Sequence, residues 1–473
     1  MSTRYERYAN EIEELICGGV LRTGDRLPSV REASATQRLS RSTVFQAYYL
    51  LEARGLIEAR PRSGYYVRPR ALSAPAATKI SPTNEPFSGD KIDNLVIDLI
   101  RSSGMPKFVP LGSAFPSPLL CPLPQLARHL WNGMRDLDPW RVAEDLVPGN
   151  EALRRQIQLR YGLSGTAVDP DEIILTCGAM ESLNLCLQAV TCPGDVVAVE
   201  SPTFYPALRA IERLKLRALE IPTHPRHGVD VDALALALRL HRIKACWFMP
   251  NFQNPLGSLM PHDSRVELVA LLARRGIPLI EHDVCGELYF NDRRPLPAKH
   301  YDRQGLVLHC GSFSECLAPG YRVGWVAGGR FAREIEQSRL LQTLSPAIPS
   351  VAAIASYLAK DRFDRHLRRM RATLASYKAA AMDSVREFFP RATRAASPEG
   401  GYFLWLQLPR SVNALALHQL ALARSITLAP GQIFSIDRRF THCVRINFGH
   451  GADPRFTSAL RTVGELVTQL STN

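Results

Sequence analysis

The chain has 473 residues, of which 46% are hydrophobic and 22% charged, and it carries a formal net charge of +13 at pH 7. This length exceeds one ordinary domain and predicts two or three, each with enough apolar residues for a core. No run reaches the ~18 apolar residues of a membrane span and the N-terminus lacks the apolar stretch of a secretory signal, so we expect a cytoplasmic protein without a membrane partner. The ten cysteines include no Cys-x-x-Cys pair, which predicts reduced thiols and no metal site.

The first 70 residues have the pattern of three helices followed by a two-stranded wing. Apolar residues at helical spacing between Tyr5 and Val20 predict the first helix, and Ser29 and Ser40 are the expected N-caps of the second and third. Gly55 is the expected end of the third helix. Two short apolar strands then flank a basic turn at residues 60–64.

Two segments in this region, Gly24-Asp-Arg-Leu-Pro-Ser-Val-Arg-Glu32 and Leu39-Ser-Arg-Ser-Thr-Val44, resemble the winged helix-turn-helix of GntR-type regulators. The resemblance implies that residues 1–70 bind a double-stranded DNA operator. Residues 36–70 contain seven arginines and two glutamates, a net charge of +5, which favours DNA contact over a merely solvated surface. The DNA-contacting residues that the resemblance implies, from phosphate contact through major groove to wing, are Arg31, Arg41, Ser42, Thr43, Arg62, Ser63 and Gly64.

Composition then shifts to Ala, Pro, Ser and Thr between Ala71 and about Asp90. Such a segment buries too little apolar surface to offset its ordering entropy, so we assign residues 71–105 to a linker. Residues 106–473 form the second expected domain. Short apolar runs alternate there with helical stretches, which predicts an α/β fold with a mainly parallel sheet. Ligands of such sheets bind at the carboxyl ends of the strands.

Five segments lie at or near these strand ends: Gly178-Ala-Met-Glu181, Ser201-Pro-Thr-Phe-Tyr205, Asn251-Phe-Gln-Asn-Pro-Leu-Gly257, Gly311-Ser-Phe-Ser-Glu315 and Cys443-Val-Arg-Ile-Asn-Phe448. Taken in order, they resemble the aminotransferase-like domain of the MocR subfamily. The resemblance implies a fold-type I aminotransferase-like domain, with a large α/β part and a smaller α+β part at the C-terminus. It also implies a pyridoxal phosphate pocket. The implied cofactor-binding residues are Ala179, Met180, Phe204, Asn254, Asp283, Cys285, Ser312, Ser314, Glu315 and Arg322, and the implied substrate-carboxylate residue is Arg445.

Each of these positions has a role by the same resemblance. The main-chain amides of Ala179 and Met180 would hold phosphate together with two serine hydroxyls and an arginine. Phe204 would stack on the pyridine ring. Asn254 would bond the ring hydroxyl, and Asp283 would pair with the ring nitrogen.

Two of these positions depart from the family pattern. Glu315 stands where the family carries its Schiff-base lysine, and Cys285 stands where a tyrosine usually supports the cofactor oxygen. A carboxylate has no nitrogen with which to hold the cofactor aldehyde or to carry a substrate proton. No catalytic residue is therefore assigned. Lys299 is the nearest other lysine in the sequence, and we expect it to be a surface residue in a loop.

The charge of Glu315 indicates a ligand class. Ionised Glu315 and Asp283, about 7 Å apart at an effective dielectric near 20, would repel by about 2 kcal/mol. We therefore expect Glu315 to hold a proton or to be neutralised by a cation of the ligand. Pyridoxamine phosphate carries such a cation at its aminomethyl group, whereas pyridoxal phosphate carries an aldehyde. This predicts a small-molecule effector held noncovalently. It is either one of the two B6 vitamers, with pyridoxamine phosphate preferred, or an amino-acid-related ligand such as a preformed adduct of the vitamer with an amino acid.

The predicted function is a transcriptional regulator whose large domain senses a ligand without transamination. Two other interpretations stay open. One is an active pyridoxal phosphate-dependent aminotransferase that also regulates, which Glu315 disfavours. The other is a ligand-blind DNA-binding dimer, which the retention of Asp283, Arg322 and Arg445 disfavours. The resemblance implies a homodimer in which two winged helices read paired half-sites.

Overall fold

A computed structural model describes residues 3–17, 20–61, 63–69, 72–75, 90–135, 140, 146, 149–360 and 362–472. Arg62, predicted to contact DNA, and residues 71 and 76–89 of the expected linker lie outside the described residues. Part of the stretch assigned to the linker is helical, because Asp90–Ser103 forms a helix. Leu99 of this helix is buried against Tyr205 and Trp405. This helix therefore packs on the large domain.

The N-terminal domain has the predicted three helices and wing. Its helices are Arg4–Cys17, Val30–Gln37 and Arg41–Ala53, and its antiparallel strands are β1, Ile57–Arg60, and β2, Gly64–Val67. The predicted caps are confirmed. Ser29 and Glu32 form a capping box, and the Ser40 hydroxyl accepts the amide of Thr43.

One tyrosine joins all the parts of this small domain. Tyr48 is fully buried, and its hydroxyl donates to the carbonyl oxygen of Pro28 at 2.8 Å. Its ring stacks on Tyr8 of the first helix and meets Tyr65 of the wing edge-on. Tyr48 therefore packs between the first helix, the start of the second helix and the wing.

The large domain is built on an eight-stranded sheet in the order β3-β10-β9-β8-β7-β4-β5-β6. The five central strands, β9, β8, β7, β4 and β5, run parallel to one another. Strands β6 and β10 are antiparallel to their neighbours, so the sheet is mainly parallel, as predicted. The strands are β3 Ile173–Thr176, β4 Val196–Ser201, β5 Arg217–His224, β6 Gly228–Val229, β7 Ile243–Phe248, β8 Leu279–His282, β9 Val307–Ser312 and β10 Gly324–Ala327.

Helices cover the large sheet, and a smaller sheet follows near the C-terminus. The four strands of the smaller sheet are β11 Arg394–Ala395, β12 Phe403–Gln407, β13 Ala429–Pro430 and β14 Cys443–Asn447. The remaining helices are Leu123–Arg135, Glu151–Leu163, Ala179–Val190, Tyr205–Arg213, Val231–Leu240, His262–Arg275, Ala332–Gln342, Ile348–Lys360, Phe363–Phe388, Ala414–Leu422 and Phe456–Thr472. No helix within the described ranges has the length and apolar composition that crossing a bilayer requires.

Candidate ligand pocket and DNA interface

The carboxyl ends of the parallel strands meet at one edge of the large sheet and surround a small cavity. Its volume is about 70 Å³, measured as the room for the centre of a water molecule. The turn after β3, the end of β9 and the loops that follow β4, β7 and β8 all reach it. Nine residues predicted for the cofactor line it: Ala179, Met180, Phe204, Asn254, Cys285, Ser312, Ser314, Glu315 and Arg322.

One end of the cavity has the groups that bind phosphate. The helix Ala179–Val190 begins there, and its first amides have no acceptor within the helix. Arg322 donates to the Ser314 hydroxyl at 3.1 Å and to the carbonyl oxygen that precedes Gly178, also at 3.1 Å. A Cβ atom on Gly178 would come within 2.5 Å of the guanidinium, so this turn requires glycine. These residues fit the phosphate of the family's cofactor.

The predicted ring-nitrogen partner lies just behind the cavity wall. Asp283 is fully enclosed and lines a second, adjoining cavity of about 30 Å³. The carboxylate lies 3.2 Å from His309 Nε2 and 3.3 Å from an Arg294 guanidinium nitrogen. Burial raises the pKa of Asp283, but the His309 hydrogen bond and the Arg294 charge outweigh burial and hold the pKa below its ordinary value. Asp283 is therefore an anion.

Sequence reasoning missed the residues that support Asp283. The Tyr161 hydroxyl lies 2.6 Å from His309 Nδ1 and accepts the Trp325 indole N–H at 2.9 Å. Arg294 lies 3.6 Å from Glu287. A histidine in the apolar run of β9 was the one local signal, since a polar residue in a buried strand needs partners.

Arg445 also lies behind the wall. Two of its nitrogens donate, one to Asn254 Oδ1 at 2.9 Å and the other to the carbonyl oxygens of Gly112 and Ser113. Its guanidinium also sits 4.3 Å from the centre of the Phe403 ring. Burial lowers the pKa of Arg445 to about 10, so it remains a cation at neutral pH. Arg445 does not line the cavity itself, but it donates to Asn254, which does.

Glu315 lies on the cavity wall with 8% of its surface exposed. Its Oε2 atom has no hydrogen-bond partner among the residues that the structure describes. Burial raises the pKa of Glu315 to about 7, although the Ser312 hydrogen bond and the charge of Arg322 oppose the shift. The expected direction is therefore found, but the cause is burial rather than repulsion by Asp283.

None of the described residues that line the cavity is a lysine. Lys299 is not the surface residue we expected. Its side chain is 5% exposed, and its ammonium lies 2.8 Å from Glu172 and 3.5 Å from Asp302. That expectation was wrong because burial brings Lys299 to Glu172, which lies far away in the sequence, whereas Asp302, three residues on, was the only local sign of an ion pair.

Cys285 has a partner that the sequence did not indicate. It is 2% exposed, and burial raises its pKa, so it is a thiol at neutral pH. The Tyr402 hydroxyl, which also lines the cavity, hydrogen-bonds with this thiol and donates to Ala114 O at 3.2 Å. A phenol thus enters the cavity from the residue just before β12 rather than from position 285. The chain is tightly packed there, since a Cβ on Gly400 would come within 2.4 Å of Phe252.

The predicted ring-stacking residue is packed from one side. The centre of the Phe204 ring lies 5.7 Å from the His282 ring, with 29° between their planes. Burial lowers the pKa of His282 to about 4, so this imidazole is neutral. Phe204 is therefore held in place by an uncharged ring that lines the same cavity.

The predicted DNA-contacting residues of the helices lie at the surface of the winged helix. Arg31, Arg41 and Ser42 are exposed, while Thr43 is half-buried and its hydroxyl lies 2.7 Å from that of Ser40. The same outward face of the third helix shows two further side chains, Phe45 at 54% and Tyr49 at 67% exposure. Their positions four and eight residues after Arg41 indicate this in the sequence, because residues at that spacing lie on the same face of a helix.

In the wing, the main chain turns sharply at Gly64, where φ is 111°. The Ser63 hydroxyl lies 2.7 Å from that of Tyr66, and Arg60 covers the Tyr66 ring at 4.5 Å. A side chain at position 64 would be strained by this φ and would approach Arg26 at 3.2 Å. The tip of the wing is thus a tight turn set among cations.

The fold and the pocket define a protein with an aminotransferase-type domain joined to a winged helix. Residues 147–462 match the family model described as aminotransferase class I and II, and residues 4–67 match that of bacterial regulatory proteins of the gntR family. The chain belongs to the MocR subfamily of GntR regulators, in which these two domains are combined. It is a transcriptional regulator with an aminotransferase-like domain.

Relatives of full length support this assignment. The chain is 44% identical to the uncharacterized HTH-type transcriptional regulator YdcR of Escherichia coli (strain K12), over 98% of this chain and 99% of the relative. It is 36% identical to YjiR, an uncharacterized regulator of the same type from the same organism, with the same coverage. Among solved structures, a Pyrococcus horikoshii kynurenine aminotransferase in complex with PMP has a TM-score of 0.73 at 24% identity, covering 81% of this chain and 97% of that one. The last match shows the fold alone.

Proposed function

We propose that the aminotransferase-like domain binds a B6 vitamer phosphate noncovalently, with pyridoxamine phosphate preferred, and that this binding controls how the winged helices engage DNA. The observation that carries the proposal is Glu315. A carboxyl that is 8% exposed, with an unpaired oxygen, lines a cavity whose neighbouring residues fit a phosphate. An aminomethyl cation would supply the missing partner.

The roles of the other residues follow from their chemistry. Ser312, Ser314 and Arg322, with the first amides of the helix Ala179–Val190, would hold the phosphate. Phe204 would cover the ring. Asp283, kept ionised by its own partners, would receive the ring N–H. Asn254 would bond the ring hydroxyl while orienting Arg445.

None of the described residues on the cavity wall takes the place of the lysine. When bound in the family's enzymes, the cofactor serves as an electron sink for amino-group transfer. Cys285 is held as a thiol and His282 is neutral, so neither offers a cationic amine. The pocket is therefore suited to recognition, and its output is a change of arrangement rather than a product.

Pyridoxamine phosphate binding is expected to strengthen as pH rises through about 7. Glu315 is protonated below this pH and gains the charge that attracts the aminomethyl cation above it. The ligand phosphate also ionises near pH ~6. The Glu315→Gln variant isolates the effect of the Glu315 charge, because it keeps the shape of the side chain and the contribution of the ligand phosphate to the pH dependence. Thermal shift titrations of both proteins measure the difference, and identical pH profiles would contradict the assigned role of Glu315.

We propose that the exposed face of the third helix enters the major groove. Arg41→Ala is expected to weaken DNA binding by about 1–3 kcal/mol, since an arginine at a base edge contributes about that much. Arg54→Ala is the matched control, because Arg54 follows the far end of the same helix and is paired with Glu13 at 2.6 Å. Fluorescence anisotropy on the tightest duplex selected from a random pool measures both. Equal losses in the two variants would contradict this orientation.

We also propose that the protein is a homodimer whose interface includes the helix Leu123–Arg135. Three apolar side chains of this helix are exposed, Leu123 at 42%, Trp131 at 71% and Met134 at 57%. A second copy would cover them, as dimer interfaces are rich in aromatic and methionine side chains. Trp131→Glu is expected to yield monomers in sedimentation velocity runs. Leu163→Glu, at 80% exposure on another helix, controls for added charge, and a Trp131→Glu dimer as tight as the wild type would exclude this helix.

A further inference from the structure

A basic groove lies where the parallel strands of the large sheet begin, at the opposite end of these strands from the ligand pocket. Its volume is about 830 Å³, and five cationic side chains line it. The starts of β4, β5 and β7 meet there, together with the ends of two helices. The five cations are Arg217, Arg239, Arg242, Lys244 and Arg275.

The charge of this groove is not balanced by the protein. All five cations are exposed, and within the described ranges none of them is in an ion pair with a carboxylate. The acid that lines the groove, Asp195, accepts the main-chain N–H of Cys192 at 2.8 Å. Among the described residues, exposed arginines without an ion pair also occur elsewhere in the domain, as Arg410 and Arg424 show, but here five cations converge on one groove that has a single carboxylate. The groove therefore carries an excess of positive charge.

Helix ends explain only part of this cluster. Arg239 and Arg275 lie in the last turns of their helices, where a cation is favourable next to the C-terminal dipole. Arg217 and Lys244 belong instead to the first residues of strands, and Arg242 precedes a strand. Three cations thus have no local role in stabilising a helix. Their convergence on one groove instead favours the binding of an external anion.

We propose that this groove is a second DNA-contact surface, which binds the phosphate backbone of duplex beside the segment that the winged helix reads. Four of the five cations are arginines, whose planar forks suit phosphate oxygens. A regular array of phosphates can meet several of them at once, and such contacts add affinity without sequence preference. The proposal goes beyond ligand sensing and rests only on DNA binding by the winged helix.

The test is the salt dependence of DNA binding by the full chain. Arg239→Ala, Arg242→Ala and Lys244→Ala are combined and compared with wild type on duplexes of about 30 and about 80 base pairs with the same centre. Each lost phosphate contact lowers the slope of log affinity against log salt by about 0.9, so the slope on the long duplex should fall by about 1 to 3. The slope on the short duplex should not change. A matched triple variant of exposed arginines outside the groove, Arg303→Ala, Arg410→Ala and Arg424→Ala, should keep both slopes.

Other outcomes would overturn the proposal. Equal slopes for the groove and control variants would do so, and so would an equal loss on both duplex lengths. Vesicles containing phosphatidylglycerol are titrated in parallel, and loss of vesicle binding with DNA slopes unchanged would reassign the groove to a lipid surface. If the triple variant melts early, Arg242→Glu alone replaces it, since this exposed residue lies outside the helices. It should reduce the long-duplex slope by about 1 or more.

Discussion

Replacing Glu315 with lysine is expected to turn a pocket that forms no covalent bond with pyridoxal phosphate into one that does. The wild-type chain should show no borohydride-stable mass increase, whereas Glu315→Lys should gain one cofactor per chain. The physical reason is position. Residue 315 lines the cavity beside the residues that fit phosphate, so a lysine amine there would meet the aldehyde of a bound molecule at high effective concentration.

Intact mass spectrometry after reduction measures this gain. Glu334→Lys is the matched control, because the same substitution on an exposed helix position reports adventitious labelling of surface amines. Glu315→Gln should bind without any adduct. If Glu315→Lys binds the cofactor and no reducible link forms, then position 315 does not correspond to the lysine of the family.

Replacing Tyr48 with alanine is expected to unfold the winged helix at physiological temperature. The side chain is fully buried, touches the first helix and the wing, and bonds Pro28. Loss of a buried aromatic costs about 3–5 kcal/mol, a large share of the stability of a small domain. DNA binding should be lost while pyridoxamine phosphate binding is kept.

Calorimetric unfolding of three variants separates the causes. Tyr49→Ala removes a neighbouring tyrosine that is 67% exposed and should change stability by no more than about 0.5 kcal/mol. Tyr48→Phe keeps the ring and loses one hydrogen bond, at a cost of about 1 kcal/mol. If the Tyr48→Ala and Tyr49→Ala proteins melted at the same temperature, the stability of the winged helix would not depend on the contacts of Tyr48.

The winged helix could be predicted almost residue by residue because its signals are local. The capping box of Ser29 and Glu32 spans three residues, and Ser40 caps the third helix through a neighbouring amide. Helix periodicity and caps are properties of short segments, so the sequence alone carries them. Phe45 and Tyr49 follow Arg41 at four-residue spacing, so the same helical periodicity also places them on the outward face.

The residues that line the pocket could be predicted, but the contacts that support them could not. Residues at strand ends converge in any parallel sheet, which is why nine predicted residues line one cavity. The contacts that support Asp283 join residues far apart in sequence, such as Tyr161 and His309. The same holds for Lys299 and Glu172. Such pairs depend on the path of the whole chain, which no local pattern records.

The most direct test of the central claim is calorimetric titration of the purified wild-type chain, freed of any bound small molecule, with pyridoxamine phosphate. The account predicts saturable binding at micromolar concentration, one ligand per chain, weakened in Glu315→Gln and in Arg322→Ala. Amino donors and keto acids added to the complex should show no turnover. Absence of binding by every B6 phosphate at micromolar concentration, or measurable transamination by the wild type, would contradict the account.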